Sequence, residues 1–235
     1  IESAHLDGNQ QRLLIQKGKI VTPKQIIADP INKNLYFCDR EGMRIMRCAF
    51  DGTSLTTLLQ RGEFPHDKHD EKRHCVGIAL DLVEGQIYWT QKGPSRGGDG
   101  RIFRMPIDSP QSVDPASRSD ITLLLDHLPE PIDLYLSTAS SRLFWTDRGG
   151  SVDDSTLNVA RFDKHGLHDH RVIFSGLQQA IGLALDPSER HAWVSDLGGN
   201  IREIDIETGS SRILRQQAPT TGVFYLRSGS INSLN

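Results

Sequence analysis

The chain has little of what usually discloses a function. Three cysteines in 235 residues, Cys38, Cys48 and Cys75, are too few and too irregular for a disulfide framework or a zinc motif of paired cysteines. They favour a reducing compartment, so a cytoplasmic setting is expected over secretion. Cys38 and Cys48 face each other across one hairpin either as packed thiols or as a disulfide. No apolar run reaches the roughly 18 to 20 residues that span a bilayer, and the chain, which opens at Ile1, shows no signal-peptide pattern. A formal charge of −3 gives no basic field, so neither nucleic acid nor a membrane is an expected partner. There is no G-x-S-x-G elbow for hydrolysis and no G-x4-G-K-[ST] loop for nucleotides.

What is present is a repeat. One unit runs Ile26 to Pro30, Leu35 to Asp39, Arg44 to Gly52 and Leu55 to Leu59. The order returns at Gly77 to Asp81, Ile87 to Gln91, Arg101 to Met105 and Ile121 to Leu125. It returns again from Ile132 to Phe174 and from Gly182 to Leu214. Each segment is short, rich in β-branched and aromatic residues and bounded by Asp, Gly, Pro or Ser, which is strand-and-turn chemistry. Sheets with two apolar faces bury both by packing radially. The fold expected is therefore an all-β propeller of four-stranded antiparallel blades.

The blades are expected at 22–60, 74–126, 129–175 and 178–215, with partial blades at 1–21 and 219–235. Ile1 to Leu6 and Arg12 to Ile15 read as outer strands, and Gly222 to Leu226 as a first strand. That count predicts six blades, with about 50 residues of the first lying ahead of Ile1 if one blade takes about 40 to 45. A five-bladed ring is the alternative.

The segment Leu143-Phe144-Trp145-Thr146-Asp147 and the Ile-x-Arg segments followed by Asp-Gly resemble the YWTD repeats of low-density lipoprotein receptor propellers. The resemblance covers nearly the whole chain, although Tyr36-Phe37-Cys38-Asp39, Tyr88-Trp89-Thr90-Gln91 and Trp193-Val194-Ser195-Asp196 depart from the signature. It implies that Asp39, Asp147 and Asp196 clamp neighbouring blades, with Gln91 breaking the pattern. Without flanking EGF-like cysteines, the chain looks more like stand-alone microbial and fungal members, and these imply natural-product chemistry such as non-redox cyclisation.

Loops between second and third strands, and between blades, open on one face, where propellers bind ligands. The expected ligand residues there are Lys24, Gln25, Cys75, Gln91, Arg96, Glu130, Asp133, Gln178, Gln179 and Asp196, with Thr220 and Thr221 nearby. Arg40, Lys92, Arg96 and Arg148 converge as cations from successive blades and favour an anionic or enolic ligand. Arg40, His74, Lys92 and Arg148 are the expected catalytic set, with His74 or Glu130 moving a proton. No cofactor and no metal are expected. The histidine-rich stretch from Pro65 to His74 reads as a solvated, mixed-charge loop, and the glycine-rich one from Lys92 to Gly100 as a flap. The function expected is small-molecule binding, extending to metal-free dehydration, isomerisation or cyclisation as a lyase, isomerase or cyclase. The alternative is a scaffold that binds a protein partner or a second copy through a loop face.

Overall fold

A computed structural model describes residues 1–5, 7–108, 113–151 and 154–225. Period-2 alternation of large apolar residues, ended by Asp-Gly and Asp-Pro turns, yields four antiparallel sheets of four strands each. Blade 1 holds β3 (Pro23–Asp29), β4 (Asn34–Asp39), β5 (Arg44–Ala49) and β6 (Thr56–Gln60); blade 2 holds β7 (Cys75–Asp81), β8 (Gln86–Gln91), β9 (Gly100–Pro106) and β10 (Thr122–Leu128). Blade 3 holds β11 (Pro131–Ser137), β12 (Arg142–Asp147), β13 (Ser155–Asp163) and β14 (Gly166–Leu177); blade 4 holds β15 (Ala180–Leu185), β16 (His191–Asp196), β17 (Asn200–Asp205) and β18 (Ser211–Gln216). A further two-stranded sheet joins β1 (Glu2–Ser3) to β2 (Arg12–Leu13).

Among the described residues there are thus four complete blades, not six. The four agree with the full blades expected, and the count of six added the two partial blades at the ends. The first forms a single two-stranded pairing. In the second, no strand is formed through Tyr225, and Leu226 onward, like Leu6, lies outside the described residues. The backbone at Gly222 and Val223 nevertheless lies against Gly182, where a Cβ would collide with it, and Tyr225 stacks on Trp193 at 5.5 Å.

The repeat's second strand organises the interior, because successive side chains point to opposite sheet faces. Tyr36 and Cys38 enter the layer shared with blade 2, which also receives Trp89 and Phe103. Phe37 turns the other way, toward Ile15 and Met46. Tyr88 and Trp145 meet between blades 2 and 3, and Phe144 and Val194 between blades 3 and 4. Cys38 and Cys48 therefore face different layers. Cys48 pairs in register with Leu35, and all three cysteines are free thiols.

In blades 1, 2 and 3 the third residue of the YWTD-like motif ties the blade to the next. Thr90 Oγ1 accepts from Gly77 N at 2.8 Å and donates to Ile132 O at 2.9 Å. Thr146 Oγ1 accepts from Asp133 N and donates to Ile181 O at 3.0 Å. Cys38 Sγ donates, more weakly, to Gly77 O at 3.5 Å. The fit is tight enough that a Cβ on Gly77 would overlap the Ile132 carbonyl. Two first-strand residues add staples: Gln25 Oε1 accepts from Ile78 N at 2.7 Å, and Asp133 Oδ2 accepts from Leu183 N at 2.8 Å.

Candidate functional site

The motif's fourth residue fixes where each chain enters its blade. Asp39 accepts from Val21 N and Thr22 N and pairs with Arg44 at 2.9 Å. Asp147 accepts from Glu130 N at 2.7 Å. Asp196 accepts from Gln178 N and Asn200 N. Each aspartate thus holds its own blade's entry, while the link to the next blade falls to the threonine position. The residue that follows returns a backbone bond to the same entry. Arg40 N donates to Thr22 O, Lys92 N to His74 O, Arg148 N to Glu130 O and Leu197 N to Gln178 O. Two sets of equivalent positions result: Arg40, Lys92, Arg148 and Leu197, and Thr22, His74, Glu130 and Gln178. This register brings the three cations together on one face.

Glu130 is the hub. It is 1% exposed, and its carboxylate meets Arg148 Nη1 at 3.2 Å, Lys92 Nζ at 3.4 Å and Ser95 Oγ at 2.8 Å. Lys92 Nζ also pairs with Glu71 at 2.6 Å, which holds the Glu71 carboxyl below its ordinary range. Arg40 pairs with Glu41. Burial raises the cost of charging Glu41, but hydrogen bonds from Arg40 and Thr22 outweigh it and bring its pKa down to about 2. Lys24 is depressed by burial and then by the charge of Arg40, with Arg148 and Lys92 acting in the same direction. Arg40, Glu41, Lys68, His69, Glu71, His74 and Lys92 line a cleft of about 460 Å³.

His74 is 5% exposed. Its Nε2 lies 2.9 Å from the Lys68 carbonyl, an acceptor only, so Nε2 carries the proton and Nδ1 holds a lone pair. That Nδ1 is buried without a partner. Burial pushes the imidazole pKa down despite the Lys68 carbonyl, which keeps the ring neutral near pH 7.

Several expected ligand residues serve the scaffold instead. Gln25 and Asp133 are the staples described above, and desolvation raises Asp133 to about 7 against two backbone N–H donors. Asp196 is consumed at its blade entry. Gln91 Nε2 donates to Lys72 O at 2.6 Å. Cys75 is buried, its Sγ faces the Arg73 carbonyl at 3.8 Å, and desolvation lifts its pKa to about 12, which rules out a ready thiolate. Arg96 is exposed on its loop with φ +58 and makes no ion pair among the described residues. Gln178 turns to Asn200 Nδ2 at 3.5 Å, and Gln179 takes φ +54 beside it. Thr220 N donates to Asp196 O, and Thr221 is exposed.

Lys68, His69 and Glu71 come from the loop read as solvated. Asp70 caps a one-turn 3-10 helix, Glu71–Arg73, and Arg73 ties Asp70 and Asp67 to the Arg61 carbonyl. Together these contacts fold the loop over the cleft. The only signal in the sequence was Asp70 as a capping residue ahead of Glu71.

No protein-family model matches the chain. A protein of Pyricularia oryzae named low-density lipoprotein receptor-related protein 1 is 40% identical over 235 residues, covering 95% of this chain and 75% of that one. The 3-hydroxyacyl-CoA dehydrogenase-like protein LAM1 of Cochliobolus heterostrophus is 42% identical over 224 residues; the match covers 91% of this chain but only 47%, about half, of that protein. Among solved structures, one from the nidogen/laminin complex aligns with a TM-score of 0.72 at 19% identity, covering 95% of this chain and 75% of that chain. A luciferin-regenerating enzyme aligns at 0.55 with 12% identity, covering 86% and 79%. At these identities the structural matches speak to the fold alone.

Proposed function

The chain belongs to the low-density lipoprotein receptor-related family of YWTD-type propellers, and on that scaffold we propose that the cleft beside Lys92 binds a small anionic or enolic molecule. One observation carries the reading: a neutral, buried His74 whose Nδ1 has no partner stands among half-buried cations in an open cleft. Lys24, Arg40, Lys68, Lys92 and Arg148 outnumber Glu41, Glu71 and Glu130, so the site keeps a positive excess for a guest. A guanidinium fork and an ammonium suit a carboxylate or phenolate oxygen.

The same arrangement suits metal-free proton transfer. His74 Nδ1 would take a proton from a phenol or from a carbon next to a carbonyl, with its orientation fixed by the Lys68 carbonyl. Arg40 and Lys92 would stabilise the developing oxyanion in a site of reduced dielectric. Dehydration, isomerisation and cyclisation all have such a step. Fold similarity to named enzymes does not choose among them.

Salicylate, which carries a carboxylate and a phenol, is a suitable probe. Calorimetric titration is expected to show saturable binding that Arg40→Gln weakens about tenfold, a loss of about 1.4 kcal/mol, while His74→Gln changes affinity little. Binding unchanged in Arg40→Gln, or absent from the wild type, overturns the reading.

A further inference from the structure

A second cationic group on the same face takes no part in the cleft. Arg61 follows β6, and Arg101 sits at the start of β9. Both guanidinium groups lie over the ring of Phe103, at 5.8 and 5.5 Å from its centroid. Trp89 stacks on Phe103 at 5.2 Å and 16°, covering one side of that ring. The Nε of Arg61 and the Nε of Arg101 are each buried and without a hydrogen-bond partner. Arg101 Nη2 reaches only the Lys72 carbonyl, at 2.9 Å. Among the described residues neither arginine forms an ion pair. Arg73, the third cation nearby, is already neutralised by Asp70 and Asp67.

Two permanent charges gathered on one aromatic ring, partly desolvated and with buried donors unspent, are costly unless something supplies an acceptor. Burial opposes the Arg61 charge, and Arg101 and Arg73 repel it. The aromatic face recovers part of this cost by cation–π attraction, yet leaves the in-plane Nε–H of each arginine unanswered. The ligand complementary to two planar forks is a compact oxyanion, whose several oxygens accept in-plane bonds from both.

We propose that Arg61 and Arg101, seated on Phe103, form a binding site for a compact oxyanion, the carboxylate or phosphate group of a small molecule. The site is separate from the cleft beside Lys92 and stands or falls independently of it. Lys72, whose carbonyl holds Arg101, adjoins Glu71, which pairs with Lys92 of the cleft, so both sites touch the one short turn Glu71–Arg73.

The test follows the arginine Nε–H resonances of the whole chain by NMR while inorganic phosphate, and separately acetate, is added at constant ionic strength. Saturable shifts of the Arg61 and Arg101 resonances are expected. Arg61→Gln and Arg101→Gln are each expected to weaken phosphate binding at least about tenfold while the backbone amide spectrum is retained. Arg101→Lys, which keeps the charge and loses the fork, is expected to weaken it as well. Binding by phosphate alone assigns the site to phosphoryl groups, and binding by both anions to oxyanions generally. If neither anion shifts the two resonances, or if the Arg61→Gln Arg101→Gln double variant binds phosphate as the wild type does, the proposal is overturned. Should a glutamine variant lose its native amide spectrum, the wild-type titration still decides the matter.

Discussion

Blades 2 and 3 share strand order, an aromatic pair and a threonine clamp, and they diverge at the motif's last residue. In blade 3 the motif ends in Asp147, which accepts from the Glu130 backbone N–H. In blade 2 it ends in Gln91, which donates to the Lys72 carbonyl instead. The polarity of the entry bond is reversed. A carboxylate can hold only a donor, so blade 3 enters through an extended residue whose side chain, Glu130, turns inward to bind the cations. An amide can hold a carbonyl, so blade 2 enters through a 3-10 turn that delivers Glu71 and His74 to the cleft. The departure from the repeat therefore coincides with the place where the two blades build a shared site.

The largest expected effect concerns what the two blades have in common. Thr90→Val leaves Gly77 N and Ile132 O unpaired, and Thr146→Val leaves Asp133 N and Ile181 O unpaired. At about 1 to 3 kcal/mol for each orphaned buried group, both variants are expected to lose about 2 kcal/mol or more in urea denaturation, whereas the serine variants retain the bonds. A loss in one blade without the other would show that the clamps are not equivalent.

A second effect isolates the divergent position. Burial raises Asp147 to about 7, helped by the neighbouring Glu130 charge and opposed by the Glu130 N–H. A folded-state pKa above the unfolded value of about 3.9 means that this group's contribution is fully present below pH 4 and is lost as pH rises through 7. Asp147→Asn removes the titration and keeps an acceptor for Glu130 N. Its stability is expected to match that of the wild type near pH 4 and to exceed it at pH 8 by on the order of 2 kcal/mol. Equal stability at both pH values would mean that Asp147 is ionised without strain. Gln91, which does not titrate, gives blade 2 no such dependence.

The sequence made the blades legible because the alternation of Tyr88 with Trp89, and of Phe144 with Trp145, forces opposite faces whatever the partners are. It also placed Arg40, Lys92 and Arg148 together, since each directly follows the motif's fourth residue. Gln25 and Asp133 were misread for a physical reason. A polar side chain on an innermost strand looks the same whether it meets a ligand or the N–H of the next blade, and only the packing of β3 on β7 and of β11 on β15 decides. Lys68, His69 and Glu71 were missed because charge density alone does not separate a solvated loop from one held by a cap and by Arg73. At the ends the outcome is divided: the strands expected at Ile1 to Leu6 and Arg12 to Ile15 pair with each other, whereas Gly222 to Tyr225 forms no strand, because strand pairing there depends on partners that local pattern does not specify.

The smallest expected effect on stability bears most on function. Glu71 is partly exposed and pairs with Lys92 at 2.6 Å; pairs of that kind contribute about 0 to 1 kcal/mol, so Glu71→Gln is expected to unfold close to the wild-type midpoint. In the cleft, however, the substitution removes one of three carboxylates and leaves Lys92 shared only with Glu130 and the Gly93 carbonyl. If the cleft takes anions, salicylate affinity in Glu71→Gln should rise severalfold by calorimetry, and the gain should shrink as salt screens the site. A fall in affinity would instead make Glu71 the positioning group for Lys92, moving the blade 2 entry turn from competing with the ligand to preorganising its site.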